Sequence, residues 1–277
     1  MKMNKTINPN DFKAFEKSEK LAVVGTVGRD GDPHLSLITT LMAKDETTLV
    51  AGQFSQGLSK INIVERHKSG FAILTLDMCL WTGSCDWYDV KTEGDEYVKY
   101  NNMQMWRFNT YFGIGKVHYA HLKQISDKKK LDFLKIGLNA VRVLLTKGFM
   151  KSKKDKKAMS PFVKKLFNNM GNPKFAGFIG SDGYPAVVPV VQAEAVGSDR
   201  VVFTASPYKE LFKDLKKGMR VAVEAISTDM ESALVKGTFS GFKNGLGYVD
   251  IDKVYNSMPP ICGYSYPKED YKEIVEF

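Results

Sequence analysis

Cysteine is scarce: Cys79, Cys85 and Cys262 are the only three in 277 residues. A small odd number excludes a disulfide framework and points to a reducing compartment. Cys79 and Cys85 do not form a Cys-x-x-Cys motif, which removes a dithiol redox pair and a zinc knuckle from consideration. Histidine is also rare. His118 and His121 stand three apart, but the first falls on an expected strand and no third ligand is in view, so no metal site is read. No stretch approaches the ~18 uninterrupted apolar residues of a membrane span. The opening MKMNKTINPNDFKAFEKSEK holds no apolar run of signal-peptide length. The expectation is a cytoplasmic protein with no membrane span. A Gly-x-Ser-x-Gly elbow is missing, as is any recognisable Ser/His/Asp spacing, and Gly113-Ile114-Gly115 lacks the strand-then-helix setting of a dinucleotide fingerprint.

Acidic residues are the minority charge, 31 against 40 basic ones, for a net charge of +9. The excess is concentrated in residues 147–165, KGFMKSKKDKKAMSPFVKK, with eight lysines and one aspartate. The arginines and interleaved aromatics favoured at nucleic-acid sites are not there, so no nucleic-acid partner is expected. A helical connector with a solvated lysine face accounts for the run; a basic membrane-surface patch or a dock for an acidic partner are the alternatives. Hydrophobic content of 43% and charged content of 26% are those of a globular chain with room for one large or two ordinary domains.

What the chain does have is a repeat. Residues 24–63, VGTVGRDGDPHLSLITTLMAKDETTLVAGQFSQGLSKINI, align without a gap with residues 176–215, AGFIGSDGYPAVVPVVQAEAVGSDRVVFTASPYKELFKDL. At a constant spacing of 152, Gly25 meets Gly177, Gly28 meets Gly180, Asp30 meets Asp182, Gly31 meets Gly183 and Pro33 meets Pro185. Beyond the shared stretch, dropping two residues pairs Phe71-Ala72-Ile73 with Val221-Ala222-Val223. A period this long marks a duplicated domain rather than a solenoid.

Each copy carries the same element pattern. Residues 10–20 predict a short helix, and 21–27 and 35–42 predict strands joined by an Asp-Gly hairpin at Arg29–Asp32. Strands at 47–52 and 71–76 flank a helix at 58–67. The second copy reads as strands 175–180, 186–193, 200–205 and 220–226, with a helix at 208–217. Its next strand, 233–241, is matched to 111–118, with Gly115 on Gly237. Residues 78–107 are then a polar-aromatic insertion, either a pocket wall or an extended hairpin with packed tryptophans (Trp81, Trp87, Trp106). An amphipathic helix is expected over 126–145, a second over 161–170, and an extended arm ending in a short helix over 248–277.

Strand, hairpin, strand, strand, helix, strand is the order of a small Greek-key barrel. With the x-T-x-G-x-D-G-x-P-H-x segment at Thr26 to His34 and the loop-plus-helix from Gly52 to Asn62, the chain resembles the FMN-binding split-barrel superfamily, that of pyridoxamine 5′-phosphate oxidase. The resemblance covers about half of each copy. It implies a mainly β, α+β fold of two tandem split barrels forming a pseudo-dimer: copy one at 1–125, a helical lysine-rich connector at 126–172, and copy two at 173–277. It also implies FMN, bound where two barrels meet.

The residues agree on where a phosphate would sit. Ser55, Ser59 and Lys60 lie at a loop entering a helix, where free N–H groups and the positive dipole end favour an anion. Gly52 and Gly57 are expected to let backbone approach closely. Ser36, Thr39 and Thr40 could offer hydroxyls to the ribityl chain or ring edge, Gln53 and Phe54 could line the flavin, and Asn62 is the family's helical Asn. The same positions in copy two are Leu211, Phe212 and Asp214 for Ser59, Lys60 and Asn62, so one main site on copy one is expected. Ser206 and Lys209 remain there for a different anion. The resemblance implies a flavin-dependent oxidoreductase acting on a small molecule or electron donor, with no catalytic side chain named. It is not the vitamin B6 enzyme itself, because YKEIVEF lacks that family's Arg-bearing ending. An FMN electron carrier, a haem- or deazaflavin-binding protein, and a homodimer of chains are the alternatives kept.

Overall fold

The computed structural model describes residues 2–103, 113–150, 156–227, 229, 231–257, 261–270 and 272–273. Trp106, the start of the expected strand at 111–118, part of the lysine connector and the end of the tail lie outside them. The chain is mostly β, with two antiparallel sheets of nine strands each and five α-helices among the described residues. None of these helices is long and apolar enough to cross a membrane.

The first sheet is built from β1 (Met3–Asn4), β2 (Lys20–Val27), β3 (Pro33–Leu37), β4 (Met42–Ala43), β5 (Thr48–Gln53), β6 (Lys68–Thr75), β7 (Cys79–Lys91), β8 (Lys116–Ser126) and β9 (Lys129–Lys130). Its main path runs β3-β2-β6-β7-β8-β5-β4. The second sheet holds β10 (Lys174–Ile179), β11 (Pro185–Pro189), β12 (Glu194–Val196), β13 (Arg200–Thr204), β14 (Arg220–Ile226), β15 (Ser232–Lys243), β16 (Leu246–Asn256), β17 (Ile261–Tyr266) and β18 (Lys272–Glu273). Its path, β11-β10-β14-β15-β16-β13-β12, is the same order strand for strand. Neither path is closed by a ladder between its ends, so hydrogen bonding leaves both sheets open rather than sealed as barrels. The helices are α1 (Phe12–Glu16), α2 (Leu58–Arg66), α3 (Asp95–Asn102), α4 (Phe133–Thr146) and α5 (Pro161–Asn168).

The duplicated hairpins match down to their turn bonds. Gly28 N–H donates to Asp32 O and Gly180 N–H to Tyr184 O, each at 2.8 Å. Gly31 and Gly183 adopt φ of 79° and 77°, the left-handed region that glycine enters at least cost. Asp30 and Asp182 each accept from the backbone N–H two residues on, at 3.0 and 3.1 Å.

Register corrects three sequence readings. Gly25 pairs with Gly70 and Gly177 with Ala222, so the spacing of 152 continues through β6 and β14 with no two-residue drop. β7 holds the place in its sheet that β15 holds in the other, so Cys79–Lys91 is the counterpart of Ser232–Lys243. The match of 233–241 to 111–118 therefore fails, and the extra matter begins only after Lys91. Third, the expected arm from residue 248 starts as β16, paired along β15 and β13, and continues into β17. The helix expected from 126 begins at Phe133, because β8 runs to Ser126; Asp132 Oδ1 caps it by accepting from Lys135 N–H at 3.0 Å. The helix expected at 208–217 is only a 3-10 turn over Lys209–Phe212.

The halves meet face to face, β3 against β10 and β14, and β11 against β2, β6 and β7. Alternation along β2 and β6 feeds both sides of the first sheet: Ala22, Val24, Phe71 and Ile73 fill its own interior. Val23, Ala72 and Leu74 join the core shared with the second half. Contact is reciprocal. A Cβ on Gly25 would lie 2.8 Å from Val187, and one on Gly177 would lie 2.6 Å from Leu35. Charge closes one rim: Arg220 donates to both carboxylate oxygens of Asp32 at 2.8 and 3.0 Å, and Lys253 reaches Asp30 and Asp32. At the opposite rim the equivalent positions use other chemistry. Lys68, the counterpart of Arg220, lies over the ring of Tyr184, the counterpart of Asp32.

Glu224 is the exception in this apolar contact. It takes the position of Ala72 and is fully buried with no charged partner, only the Leu37 backbone N–H lying near enough to favour its charged form. Burial pushes its pKa up to about 8. The folded protein thus keeps a proton that the unfolded chain releases near the ordinary value of 4.5, and stability falls as pH rises from there to about 8. Glu224→Gln should remove that slope: melting temperatures of the two proteins diverge from pH 5 to pH 8, with the variant ahead by roughly 3–5 kcal/mol at the upper end. Parallel profiles would contradict the buried, protonated acid. A second prediction concerns the closest approach of the halves. A methyl at Gly70 would sit 1.8 Å from Pro185 O, so Gly70→Ala should cost about 3 kcal/mol or more by chemical denaturation. Gly137→Ala, in open space on α4, should be neutral or stabilising.

Candidate functional site

Between the halves, at the start of α2, lies a cleft of about 300 Å³, at the lower end of small-molecule sites. Its floor is β3 and the residues after it, and one side is the loop from β5 into α2. Eight of the ten residues singled out from sequence line it: Ser36, Thr39, Thr40, Gly52, Phe54, Ser55, Ser59 and Lys60. Two do not. Gln53 turns into the first half's interior, where its Oε1 faces His118 Nε2 at 2.6 Å. Asn62 donates to Thr26 Oγ1 at 3.1 Å, a bond that ties α2 to β2.

The glycines act differently from expectation. Gly52 is required by Ile114, whose Cδ1 would lie 2.7 Å from an added Cβ. Gly57 faces open space and is the N-cap of α2, with no side-chain capping bond. Gly57 itself offers the first-turn N–H groups of α2 no side-chain acceptor, and the Leu58 N–H turns instead to the Tyr255 hydroxyl across the cleft, where the helix dipole is positive. Thr40 spends its hydroxyl on Gly52 O at 2.7 Å, which fixes the strand end rather than offering a donor to a ligand.

Lys60 is half-buried on the first turn and forms no ion pair with a described residue. Burial lowers its pKa to about 8. It lines both the cleft and a small interior space of about 40 Å³ under α2, which is also lined by Trp87 and His118. There Trp87 Nε1–H donates to His118 Nδ1 at 3.1 Å, so His118 carries its proton on Nε2 and donates to Gln53. Burial first, then the charges of Lys60 and Lys116, lower the His118 pKa to about 3. His34, in the cleft wall, is likewise held neutral by burial and by Lys236 and Lys60. Two neutral imidazoles and one ammonium leave the cleft's balance positive, with no ion-pair partner for Lys60 among the described residues.

Sequence reasoning missed the far wall. Tyr255, Ser257, Cys262 and Ser232 come from the second half, and His34 from the quoted hairpin motif without being given a role. Tyr255 packs edge-on against His34 with centroids 4.9 Å apart. Only the Pro-His ending of the hairpin motif could have pointed to His34. Nothing local could have pointed to the others, which β15, β16, β17 and the turn between the last two deliver from far along the chain. Trp81 is not at the cleft: it lies in the first core, donating to Asp11 Oδ2 at 3.0 Å. The matching place in the second half is shut. Phe212, the counterpart of Lys60, is buried and stacks on Phe203 and Phe178 at 5.4 and 6.1 Å.

No protein-family model matches the chain, and no curated protein matches it at a significant level. Solved structures do resemble it. One is an FMN-binding protein from Syntrophomonas wolfei, 15% identical, covering 44% of this chain and 84% of its own, with a TM-score of 0.36. Another is a putative pyridoxamine 5′-phosphate oxidase from Lactobacillus delbrueckii, 16% identical, covering 46% of this chain and 99% of its own, TM-score 0.36. A heme binding protein from Mycobacterium smegmatis, 11% identical, covers 86% of this chain and 92% of its own, TM-score 0.29.

The charge of Lys60 sets a pH dependence. Below about 8 it is an ammonium, and above that it loses its proton. Affinity for a phosphate monoester should therefore hold from pH 7 to about 8 and fall at higher pH as Lys60 deprotonates, with the fall displaced upward by the bound anion. Calorimetric titration of FMN against wild type and Lys60→Met checks this: the high-pH loss should vanish in the variant, and its persistence would mean another group holds the phosphate.

Proposed function

We propose that the chain is an FMN-binding flavoprotein of the split-barrel type, a pseudo-dimer in one chain, and an oxidoreductase acting on a small molecule. Copy one would span 1–125 and copy two 173–277, with 126–172 connecting them. The observation that carries the reading is the Lys60 ammonium, with no ion-pair partner among the described residues, at the Gly57-capped start of α2 in a cleft walled by the other half. A phosphate fits the first turn of α2 with Ser55, Ser59 and Lys60, where N–H groups and a point charge converge. Ser36 and Thr39 would face the polar chain of the cofactor, and Phe54, Leu37 and Ile38 its ring. Bound there, the flavin supplies hydride and electron transfer. The protein's part is to hold the phosphate, orient the ring and keep water from its face with Tyr255 and the apolar wall. With His34 held neutral, no side chain is assigned as acid, base or nucleophile.

The visible spectrum of the purified protein tests the reading. Bands near ~370 and ~450 nm, with FMN released on heating, are expected of a bound flavin. Lys60→Ala should weaken FMN binding about tenfold or more, as loss of a charge-assisted contact does. A Soret band would put haem in the cleft instead, and a colourless protein that also refuses added FMN would overturn the assignment.

A further inference from the structure

Helix α4 is apolar on two sides. One side is spent: Ile136, Ala140 and Val143 are buried, and Val143 joins Val196, Val202 and Leu246 in a core of the second half. The other side is bare. Leu134, Leu138, Val141 and Leu145 are 83%, 73%, 52% and 73% exposed, at the i, i+4, i+7, i+11 spacing that sets them in one stripe. Phe149, 89% exposed, extends it past the helix end. Four large side chains and an aromatic ring in a continuous exposed row are not the scattered apolar residues of an ordinary surface.

The charge of the helix sequence itself and of the turn after it is positive. From residue 133 to 154 the sequence has six cations, Lys135, Arg142, Lys147, Lys151, Lys153 and Lys154, and no acid. Lys135 is engaged with Asp132, Arg142 with Asn244 O and Lys147 with Glu194; residues 151–155 lie outside the described residues, and Lys156 and Lys157 after them are exposed. A second copy docked on the stripe would bring two such lysine runs together. A nucleic acid would meet leucines where it needs hydrogen bonds and stacking. An anionic bilayer surface satisfies both features, apolar side chains entering the acyl boundary and lysines meeting headgroup phosphates. The helix has 14 residues, about 21 Å, too short for the ~30 Å hydrocarbon core, so it would lie along the surface.

We propose that the exposed stripe of α4, with the net positive charge of the sequence that follows it, docks this protein on anionic phospholipid membranes. Resting on the function proposed above, this places the cofactor cleft next to a bilayer.

Co-sedimentation of the full chain with vesicles tests this. Partitioning to phosphatidylcholine vesicles containing about one-third phosphatidylglycerol should exceed that to phosphatidylcholine alone about tenfold or more, and should weaken as salt screens the lysines. Leu138→Glu with Leu145→Glu, both on exposed positions, should abolish it while the melting temperature stays within a few degrees of wild type. Wild type that ignores anionic vesicles overturns the proposal. So does a variant that binds them as well as wild type, which would leave the lysines acting without the stripe. Sedimentation velocity supplies the remaining check: a wild-type dimer that the double variant dissociates would give the stripe to a second copy and overturn membrane docking.

Discussion

Everything in this molecule depends on how closely two hairpins can approach. The first sheet lays Leu35 over Gly177, the second lays Val187 over Gly25, and Pro185 O passes where Gly70 has no side chain. Leu35 is the ladder partner of Gly25 and Val187 that of Gly177, so each hairpin presents one bulky residue and one gap, and each fills the other. Self-complementarity of this kind is the geometry of a two-fold dimer, here written twice into one chain. It brings β16 and β17 to within reach of α2, and without that approach the cleft would have one wall.

The same closeness makes polar groups in the contact costly, and the chain handles them in three ways. Asp32 and Asp30 are matched by Arg220 and Lys253 at one rim. Tyr184 at the other rim gives its hydroxyl to Asp86 at 2.8 Å beneath Lys68. Glu224 has no match and resolves its burial by staying protonated, which a carboxyl can do and a guanidinium cannot. Lys60 takes none of these routes. It has no ion-pair partner among the described residues, and burial lowers its pKa only to about 8, so it keeps its proton at pH 7.

The duplication was legible because turn chemistry is local. Asp-Gly at the same offset twice, with Pro two residues later, can be read without knowing what the strands touch. The loop that lines the cleft was legible for the same reason: hydroxyls and a lysine at the start of an apolar-periodic helix are a local pattern, and Ser55, Ser59 and Lys60 do come together there. Register was not legible. Apolar residues alternate equally well with or without a two-residue shift, and only the Gly25–Gly70 and Gly177–Ala222 ladders decide. Nor was the identity of the fifth strand, because the aromatic run Cys79–Lys91 looks like an insertion until it is seen between β6 and β8. Some of the symmetry is hidden altogether. Lys20 Nζ donates to the carbonyls of Lys17 and Thr39, and Lys174 Nζ to those of Asn169 and Val191. The carbonyls keep the spacing of 152 but the lysines are 154 apart, so the same bonds are made from positions an alignment would not pair.

Duplication within one chain frees each copy to lose what the other retains. In a dimer of identical subunits, Phe at the Lys60 position would abolish both anion sites, so it could not be accepted where even one is needed. Here Phe212 takes that position in the second copy alone. It turns inward onto Phe203 and Phe178, and the helix that would have presented an ammonium collapses to a 3-10 turn. The aromatic stack strengthens the second half's core, which also underlies α4 and α5. The second half can then serve as wall and platform, and the first half keeps the open helix end. The asymmetry between the Lys60 cleft and its filled counterpart is thus one that two covalently joined copies can carry and two identical subunits cannot.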